Sequence, residues 1–177
     1  MKQQRRQKVC VQGLGFVGAA MATAVACAKN ERGDVLFDVV GVELPNWMGR
    51  TRAEAINRGQ FPFQTTDHQL IESTKNARDF GNLQATTDES VYANADIVIV
   101  DVALDIYFDK SDPRVDFDTL IQAIRTLGKR VRVGALIIVE TTVPPGTCEK
   151  VVLPTLREEL VKRKIHDNSV LVAHSYE

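Results

Sequence analysis

Three glycines at fixed spacing near the amino terminus constrain the fold of this chain more than any other feature. Residues 13–18 read Gly-Leu-Gly-Phe-Val-Gly, which is a G-x-G-x-x-G motif. The apolar segment 8–12 before it predicts a strand, and the alanine-rich segment 15–28 predicts a helix. A strand, a glycine turn and a helix in this order are typical of the first βαβ unit of a dinucleotide-binding sheet.

Each glycine of the motif has a physical task in such a unit. Gly13 permits the tight turn, Gly15 lets a pyrophosphate approach the backbone, and Gly18 lets the helix pack closely on the strand. The first turn of the helix then offers free N–H groups and a partial positive charge to phosphate. We therefore expect the three glycines, with the intervening Phe16 and Val17, to contact a cofactor.

The rest of the chain repeats the alternation of strand and helix. Strands are predicted at residues 8–12, 38–43, 83–85, 96–102, 135–139 and 170–173. Helices are predicted at residues 15–28, 51–57, 67–75, 88–93, 118–131 and 148–162. This rhythm predicts an α/β fold, a doubly wound Rossmann-type parallel sheet of order 3-2-1-4-5-6 with helices on both faces. Residues 105–115 are predicted as the longest polar loop, at the edge where such sheets bind ligands.

Composition excludes several other classes of protein. In the 177 residues, 22 Lys and Arg stand against 23 Asp and Glu, a net charge of -1 that argues against a nucleic-acid partner. Three cysteines do not suit a disulfide framework, and no Cys/His spacing resembles a metal site. The uncharged segment 9–28 after a basic stretch has the outline of a signal peptide, but its glycines argue against one, and no other segment is apolar enough to span a membrane. With the sparse cysteines, this predicts a cytoplasmic protein. Residues 1–7 are predicted to be a basic flexible tail and residues 8–177 a single domain.

Glu43 is predicted to select the cofactor. It ends the second strand, 43 − 18 = 25 residues beyond Gly18, where a carboxylate accepts hydrogen bonds from an adenosine ribose and repels a 2′-phosphate. This favours NAD over NADP. Arg50 is a candidate contact for the ribose or adenine, although a solvated surface arginine explains it equally well; Trp47 and Met48 could border the adenine or be surface anchors.

A second polar segment follows the fifth strand. Residues 140–147 read ETTVPPGT, so a carboxylate and two hydroxyls lie at a predicted carboxyl edge. They can face the nicotinamide half of a dinucleotide, and we expect Thr141 to contact it. A plain connection between strand and helix is the alternative.

Four segments together resemble a known family. KVCVQGLGFVG, GVE, VETTVPPGT and the closing AHSYE occur in this order with matching spacing. The chain from Lys8 onward resembles the N-terminal part of the UDP-glucose/GDP-mannose dehydrogenases, which oxidise the C6 alcohol of a nucleotide-linked sugar to a carboxylate with two NAD. The resemblance implies catalytic roles for Thr142 and Glu177. It also implies cofactor contacts at Val102 and Ala103, where the family often has Val-Pro.

The resemblance also implies what this chain lacks. The family's central helical domain, with its lysine, and its C-terminal cysteine motif have no counterpart in the 177 residues. We therefore expect the chain to bind NAD without full turnover. The resemblance favours UDP-linked over GDP-linked sugars and implies a homo-oligomer formed through the central domain.

The sequence leaves two other functions open. One is a Rossmann dehydrogenase that acts on a hydroxy acid or an acyl-CoA. The other is a non-catalytic dinucleotide-binding module. The presence of both VETTVPPGT and AHSYE argues against a hydroxy-acid or acyl-CoA dehydrogenase.

Overall fold

A parallel sheet of six strands forms the centre of the molecule. The computed structural model describes residues 5–109, 112–166 and 169–175. Its strands are β1 (Gln7–Gln12), β2 (Phe37–Val42), β3 (Leu83–Thr86), β4 (Ile97–Val100), β5 (Asp105–Asp109), β6 (Asp112–Asp116), β7 (Leu136–Val139) and β8 (Leu171–His174). The main sheet has the order β3-β2-β1-β4-β7-β8 with every pairing parallel, which confirms the predicted doubly wound arrangement.

Helices cover both faces of this sheet. They are α1 (Phe16–Cys27), α2 (Trp47–Asn57), α3 (His68–Phe80), α4 (Asp118–Arg130) and α5 (Leu153–Lys162). Buried residues of α1, α2 and α3 pack with one face of the sheet, and those of α4 and α5 pack with the other. The strands therefore read as continuous apolar runs because both of their faces are buried.

Capping residues place two helices differently from the sequence prediction. The side chain of Asn46 accepts a hydrogen bond from the Gly49 N–H (2.8 Å), so α2 begins at Trp47 and not at residue 51. Gly81, with φ of +86°, caps α3 in a left-handed conformation, so the last helical residue, Phe80, lies five residues beyond the predicted end at residue 75. A 3-10 turn at Glu89–Asn94 and a π turn at Cys148–Val152 occupy the positions of two further predicted helical segments.

The prediction of a loop at residues 105–115 is wrong. Strands β5 and β6 pair antiparallel across it, with Tyr107 opposite Arg114 and Asp105 opposite Asp116. The aspartates indicated a loop, but the run Ile106-Tyr107-Phe108 between them has high β propensity and favours a hairpin. The hairpin stands at the carboxyl edge, directly after β4.

The basic segment at the amino terminus is attached to the sheet where the structure describes it. β1 begins at Gln7, which pairs with Phe37 of β2. Arg6 forms an ion pair with Asp38 (2.9 Å), and Arg5 lies 3.5 Å from Asp96. Gln7 therefore belongs to β1, while the division into a tail and a domain stays a prediction.

Asp96 contacts Arg5, Lys8 at the start of β1, and Arg132 after α4. These contacts depend on its carboxylate being ionised and therefore weaken in acid. Its carboxylate accepts the Lys8 N–H (2.8 Å) and an N–H of Arg132. The Lys8 N–H, helped by the charges of Arg132 and Arg5, holds the pKa of Asp96 below its usual range. A lowered pKa in the folded state means that this stabilisation is present above the ordinary aspartate pKa of about 3.9 and is lost as the pH falls through the folded value.

We expect Asp96→Asn to lower the free energy of unfolding at neutral pH by about 1 kcal/mol, because charge-assisted hydrogen bonds are replaced by neutral ones. Urea unfolding at pH 7 and near pH 3 measures this, and the deficit of the variant should shrink at the lower pH. Asp38→Asn is the control, since Asp38 and Arg6 form a largely exposed pair. An equal deficit at both pH values contradicts the assignment.

Candidate functional site at the carboxyl edge of the sheet

Gly13 makes the turn that ends β1. Its φ is +91°, and its N–H donates to the Val42 carbonyl (2.9 Å), which ties the turn to β2. A Cβ atom built on Gly13 would lie 2.1 Å from the Asp101 carbonyl oxygen. Both the backbone conformation and the space therefore require glycine here.

Gly18 is tightly packed, whereas Gly15 has open space beside it. A Cβ atom on Gly18 would lie 2.1 Å from the Gly13 carbonyl oxygen, so α1 packs directly against the turn. A Cβ atom on Gly15 meets nothing within 4 Å. Gly15 is also the N-cap of α1, whose first turn carries no acidic residue. This open space before free N–H groups suits the oxygens of a pyrophosphate, as the motif predicts.

Glu43 lies beside the same turn. Its Oε1 accepts the Leu14 N–H (3.0 Å) from within the glycine motif, and its Oε2 accepts the Leu44 N–H (3.0 Å). The side chain is 10% exposed. The carboxylate is thus fixed next to the glycine turn, in the position expected for a ribose acceptor.

The arginine that contacts Glu43 is Arg52, which the sequence prediction missed. Arg52 Nη1 donates to Glu43 Oε1 (2.8 Å), whereas Arg50 is exposed. The missed signal is Asn46, a favourable N-cap that starts α2 at Trp47. From that start Met48 and Arg52 are four residues apart on one helix face, and Arg52 Nη2 lies 3.1 Å from Met48 Sδ.

Three phenylalanines form an aromatic cluster beside the glycine motif. Phe16 contacts Phe61 edge-on at 5.3 Å between ring centroids and Phe63 at 5.7 Å, and Phe61 lies 5.9 Å from Phe63. The Arg52 guanidinium lies 5.1 Å from the Phe63 ring centroid. Phe16 and Val17 both remain partly exposed at the start of α1, which leaves them accessible to a ligand at the turn.

A cleft of about 550 Å³ opens at the ends of β4 and β7. Its lining residues come from three consecutive segments of this edge: Asp101, Val102, Ala103, Leu104, Val115, Thr141, Thr142, Val143 and Pro144. The cleft therefore brings together the predicted contacts Val102, Ala103, Thr141 and Thr142. One wall includes Val115 of the unexpected hairpin. Glu177, the other predicted catalytic residue, lies outside the described residues.

The two threonines of this cleft differ in their surroundings. Thr141 is 7% exposed, and its Oγ1 accepts the Val102 N–H (3.0 Å) and donates to the Val102 carbonyl (2.9 Å). Thr141 thus fixes the segment that follows β4. Thr142 is exposed on the cleft, so its hydroxyl is accessible to a ligand.

Thr141→Val should lower the free energy of unfolding by about 1–3 kcal/mol, because the Val102 N–H loses its partner in a part-buried position. Thr142→Val is the matched control and should change it by less than about 0.5 kcal/mol. Chemical unfolding of both variants compares them. Equal stability of the two variants would show that the Thr141 hydroxyl does not hold this loop.

Cys10 and Cys148 do not provide an activated nucleophile at this site. Burial raises the pKa of the Cys10 thiol to about 12. Burial, with the charge of Glu149, also raises the pKa of Cys148, which is opposite to the effect of an activating helix terminus. Within residues 5–109, 112–166 and 169–175, no cluster of three or more His, Cys, Asp or Glu side chains could hold a metal ion. No helix among the described residues has the length and apolarity needed to cross a bilayer.

The strand order, the glycine turn and the carboxylate at the end of β2 define a Rossmann-type dinucleotide-binding domain. Residues 7–177 match the sequence profile of the UDP-glucose/GDP-mannose dehydrogenase family, NAD binding domain. The chain belongs to this family and is its NAD-binding domain.

Relatives in sequence agree with this assignment. The UDP-N-acetyl-D-mannosamine dehydrogenase of Methanocaldococcus jannaschii is 29% identical over 168 residues, which cover 95% of this chain and 34% of that protein. The enzyme of the same name from Escherichia coli K12 is 30% identical over 142 residues, 80% of this chain and 29% of the other. The chain therefore spans about a third of the length of such relatives.

Solved structures of nucleotide-sugar dehydrogenases agree with the family assignment. The NDP-N-acetyl-D-galactosaminuronic acid dehydrogenase of Methanosarcina mazei superposes with a TM-score of 0.84 at 27% identity, covering 98% of this chain and 35% of that one. The GDP-mannose dehydrogenase of Pseudomonas aeruginosa gives 0.76 at 25% identity, covering 96% and 36%.

Proposed function

We propose that this chain serves as the cofactor domain, over residues 8–177, of a nucleotide-sugar 6-dehydrogenase. The enzyme would oxidise the C6 alcohol of a UDP-linked sugar to a carboxylate with two NAD. The observation that carries the proposal is the Glu43 carboxylate beside the open space at Gly15, in a chain that matches the family over residues 7–177. The relatives named UDP-N-acetyl-D-mannosamine dehydrogenase favour a UDP-linked N-acetylhexosamine over GDP-mannose.

The cofactor contacts divide along the sheet edge. Gly13, Gly15 and Gly18 shape the turn that receives the pyrophosphate, with Phe16 and Val17 at the start of α1 beside it. Glu43 accepts the ribose hydroxyls at one end, and Val102, Ala103 and Thr141 shape the nicotinamide end. Arg50 is exposed on α2, and its proposed contact with the ribose or adenine is peripheral.

The reacting end lies in the cleft beyond β4 and β7. When bound there, NAD supplies the acceptor for the hydride of the sugar. Thr142 presents its exposed hydroxyl to the cleft and orients the reacting groups, while Glu177 acts in the acid-base steps, as the family resemblance implies. The apolar Val102, Val115 and Val143 restrict water at the nicotinamide.

The proposal extends to the setting of the protein. Its three cysteines are free thiols in the structure, and NAD and nucleotide sugars are intracellular metabolites, so we place the protein in the cytoplasm. We propose that the complete enzyme is a homo-oligomer assembled through the family's central domain.

An assay of the 177-residue chain tests this function. The chain is mixed with NAD and with UDP-N-acetylmannosamine, UDP-glucose or GDP-mannose, and NADH absorbance is followed. We expect binding of NAD without sustained NADH formation. An enzyme that joins this domain to the family's central and C-terminal domains should oxidise the UDP-linked sugars and form two NADH per sugar. Sustained turnover by the 177-residue chain, or oxidation of a hydroxy acid in place of the sugars, contradicts the proposal.

A further inference from the structure

The ribose end of the site contains a partly buried positive charge, Arg52, as well as the carboxylate. The side chains of Glu43 and Arg52 are 10% and 25% exposed, and their nearest atoms are 2.8 Å apart. Glu43 also accepts the Leu14 and Leu44 N–H groups, which hold its two oxygens in place. The guanidinium is therefore held beside the carboxylate that is proposed to accept the ribose hydroxyls.

The described partners of Arg52 do not use its full hydrogen-bonding capacity. An arginine has five N–H donors. Among the described residues, Nη1 contacts Glu43, and Nη2 faces Met48 Sδ, a weak acceptor. The Phe63 ring supports the guanidinium from one side but accepts no strong hydrogen bond. Arg52 thus retains donors for an anion that arrives at this end of the site.

We propose that Arg52 is a second determinant of dinucleotide selectivity, a latent binding group for a 2′-phosphate that Glu43 masks. The inference rests on the proposed cofactor site. In the native chain the Glu43 carboxylate neutralises Arg52 and repels a second anion, so the site takes a ribose with free hydroxyls. Without that carboxylate, the same guanidinium is positioned to bind a phosphate through charge-assisted hydrogen bonds.

Arg50 offers a matched comparison within the same helix. It is exposed and lies two residues before Arg52, so its side chain leaves α2 on a different face. A general increase in attraction for phosphate would involve both arginines. A contact that depends on position involves Arg52 alone.

The test measures dissociation constants of the 177-residue chain for NAD, NADP and 2′,5′-ADP by calorimetry. The variants are Glu43→Gln, Glu43→Gln with Arg52→Gln, and Glu43→Gln with Arg50→Gln. Glu43→Gln should weaken NAD binding and tighten NADP and 2′,5′-ADP binding about tenfold. Adding Arg52→Gln should abolish this gain, whereas adding Arg50→Gln should leave most of it.

Two results overturn the inference: no gain for NADP in Glu43→Gln, or a gain that persists after Arg52→Gln. Thermal unfolding checks that each variant is folded. If Glu43→Gln does not fold, Glu43→Ser with and without Arg52→Gln gives the same comparison for 2′,5′-ADP; weaker binding after Arg52→Gln supports the inference, and equal binding overturns it. Failure of the native chain to bind NAD would instead reject the proposed function, so the two failures are distinguishable.

Discussion

Gly15→Ala should abolish most of the affinity for NAD while the domain stays folded. Gly15 has an extended ψ and a negative φ that alanine adopts freely, and a Cβ atom there meets no protein atom within 4 Å. The added methyl group would fill the space in which the pyrophosphate approaches the N–H groups of α1. We expect a loss of about 2.8 kcal/mol in binding, or about a hundredfold in Kd.

Calorimetric titration with NAD measures the Gly15→Ala effect, and thermal unfolding shows whether the fold is intact. Gly134→Ala is the control for binding, because Gly134 also has open space around it but precedes β7, at the opposite edge of the sheet; its φ of +80° adds strain to folding, which thermal unfolding measures separately. Its Kd for NAD should equal that of the native chain. Native affinity in Gly15→Ala would place the phosphates elsewhere.

Gly13→Ala should act on folding and not only on binding. The substitution combines a φ of +91° with a Cβ atom 2.1 Å from the Asp101 carbonyl oxygen, so the ends of β1 and β4 must separate. Left-handed strain of about 1–2 kcal/mol and steric overlap of about 1–3 kcal/mol add to a loss of about 3 kcal/mol or more. That is a large part of the stability of an ordinary domain.

The control for Gly13→Ala is Gly81→Ala. Gly81 has nearly the same φ, +86°, but a Cβ atom there meets nothing within 4 Å. Its variant should therefore lose only the strain of about 1–2 kcal/mol. Urea unfolding followed by circular dichroism compares the two losses. If they are equal, the contact between the glycine turn and Asp101 does not limit this position.

Much of the fold follows from local patterns. The segments around Val9, Val98 and Ile137 are short, continuous apolar runs. They are apolar throughout because helices bury both faces of the sheet. The alternation of strands and helices then leaves few topologies, since crossovers between parallel strands are right-handed. The glycine motif adds the location of the turn that starts α1.

The missed features depend on register and on contacts between distant segments. Arg52 reaches Glu43 only because Asn46 starts α2 four residues before the predicted helix, and this shift changes which side chains share a face. The contact between Phe16 and Phe61 joins residues 61 − 16 = 45 positions apart, which periodicity within one element does not predict. At residues 105–116, the aspartates favour a loop in a sequence-based prediction, although the residues between them have high β propensity and form a hairpin.

The most direct test of the account is a calorimetric titration of the 177-residue chain with NAD and with NADP. The single tryptophan, Trp47, is 79% exposed four residues beyond Glu43, so its fluorescence provides an independent signal at the ribose end. We predict one NAD per chain, much weaker binding of NADP, and a change in Trp47 emission with NAD. Tighter binding of NADP than of NAD would contradict the role of Glu43 and with it the account of this site.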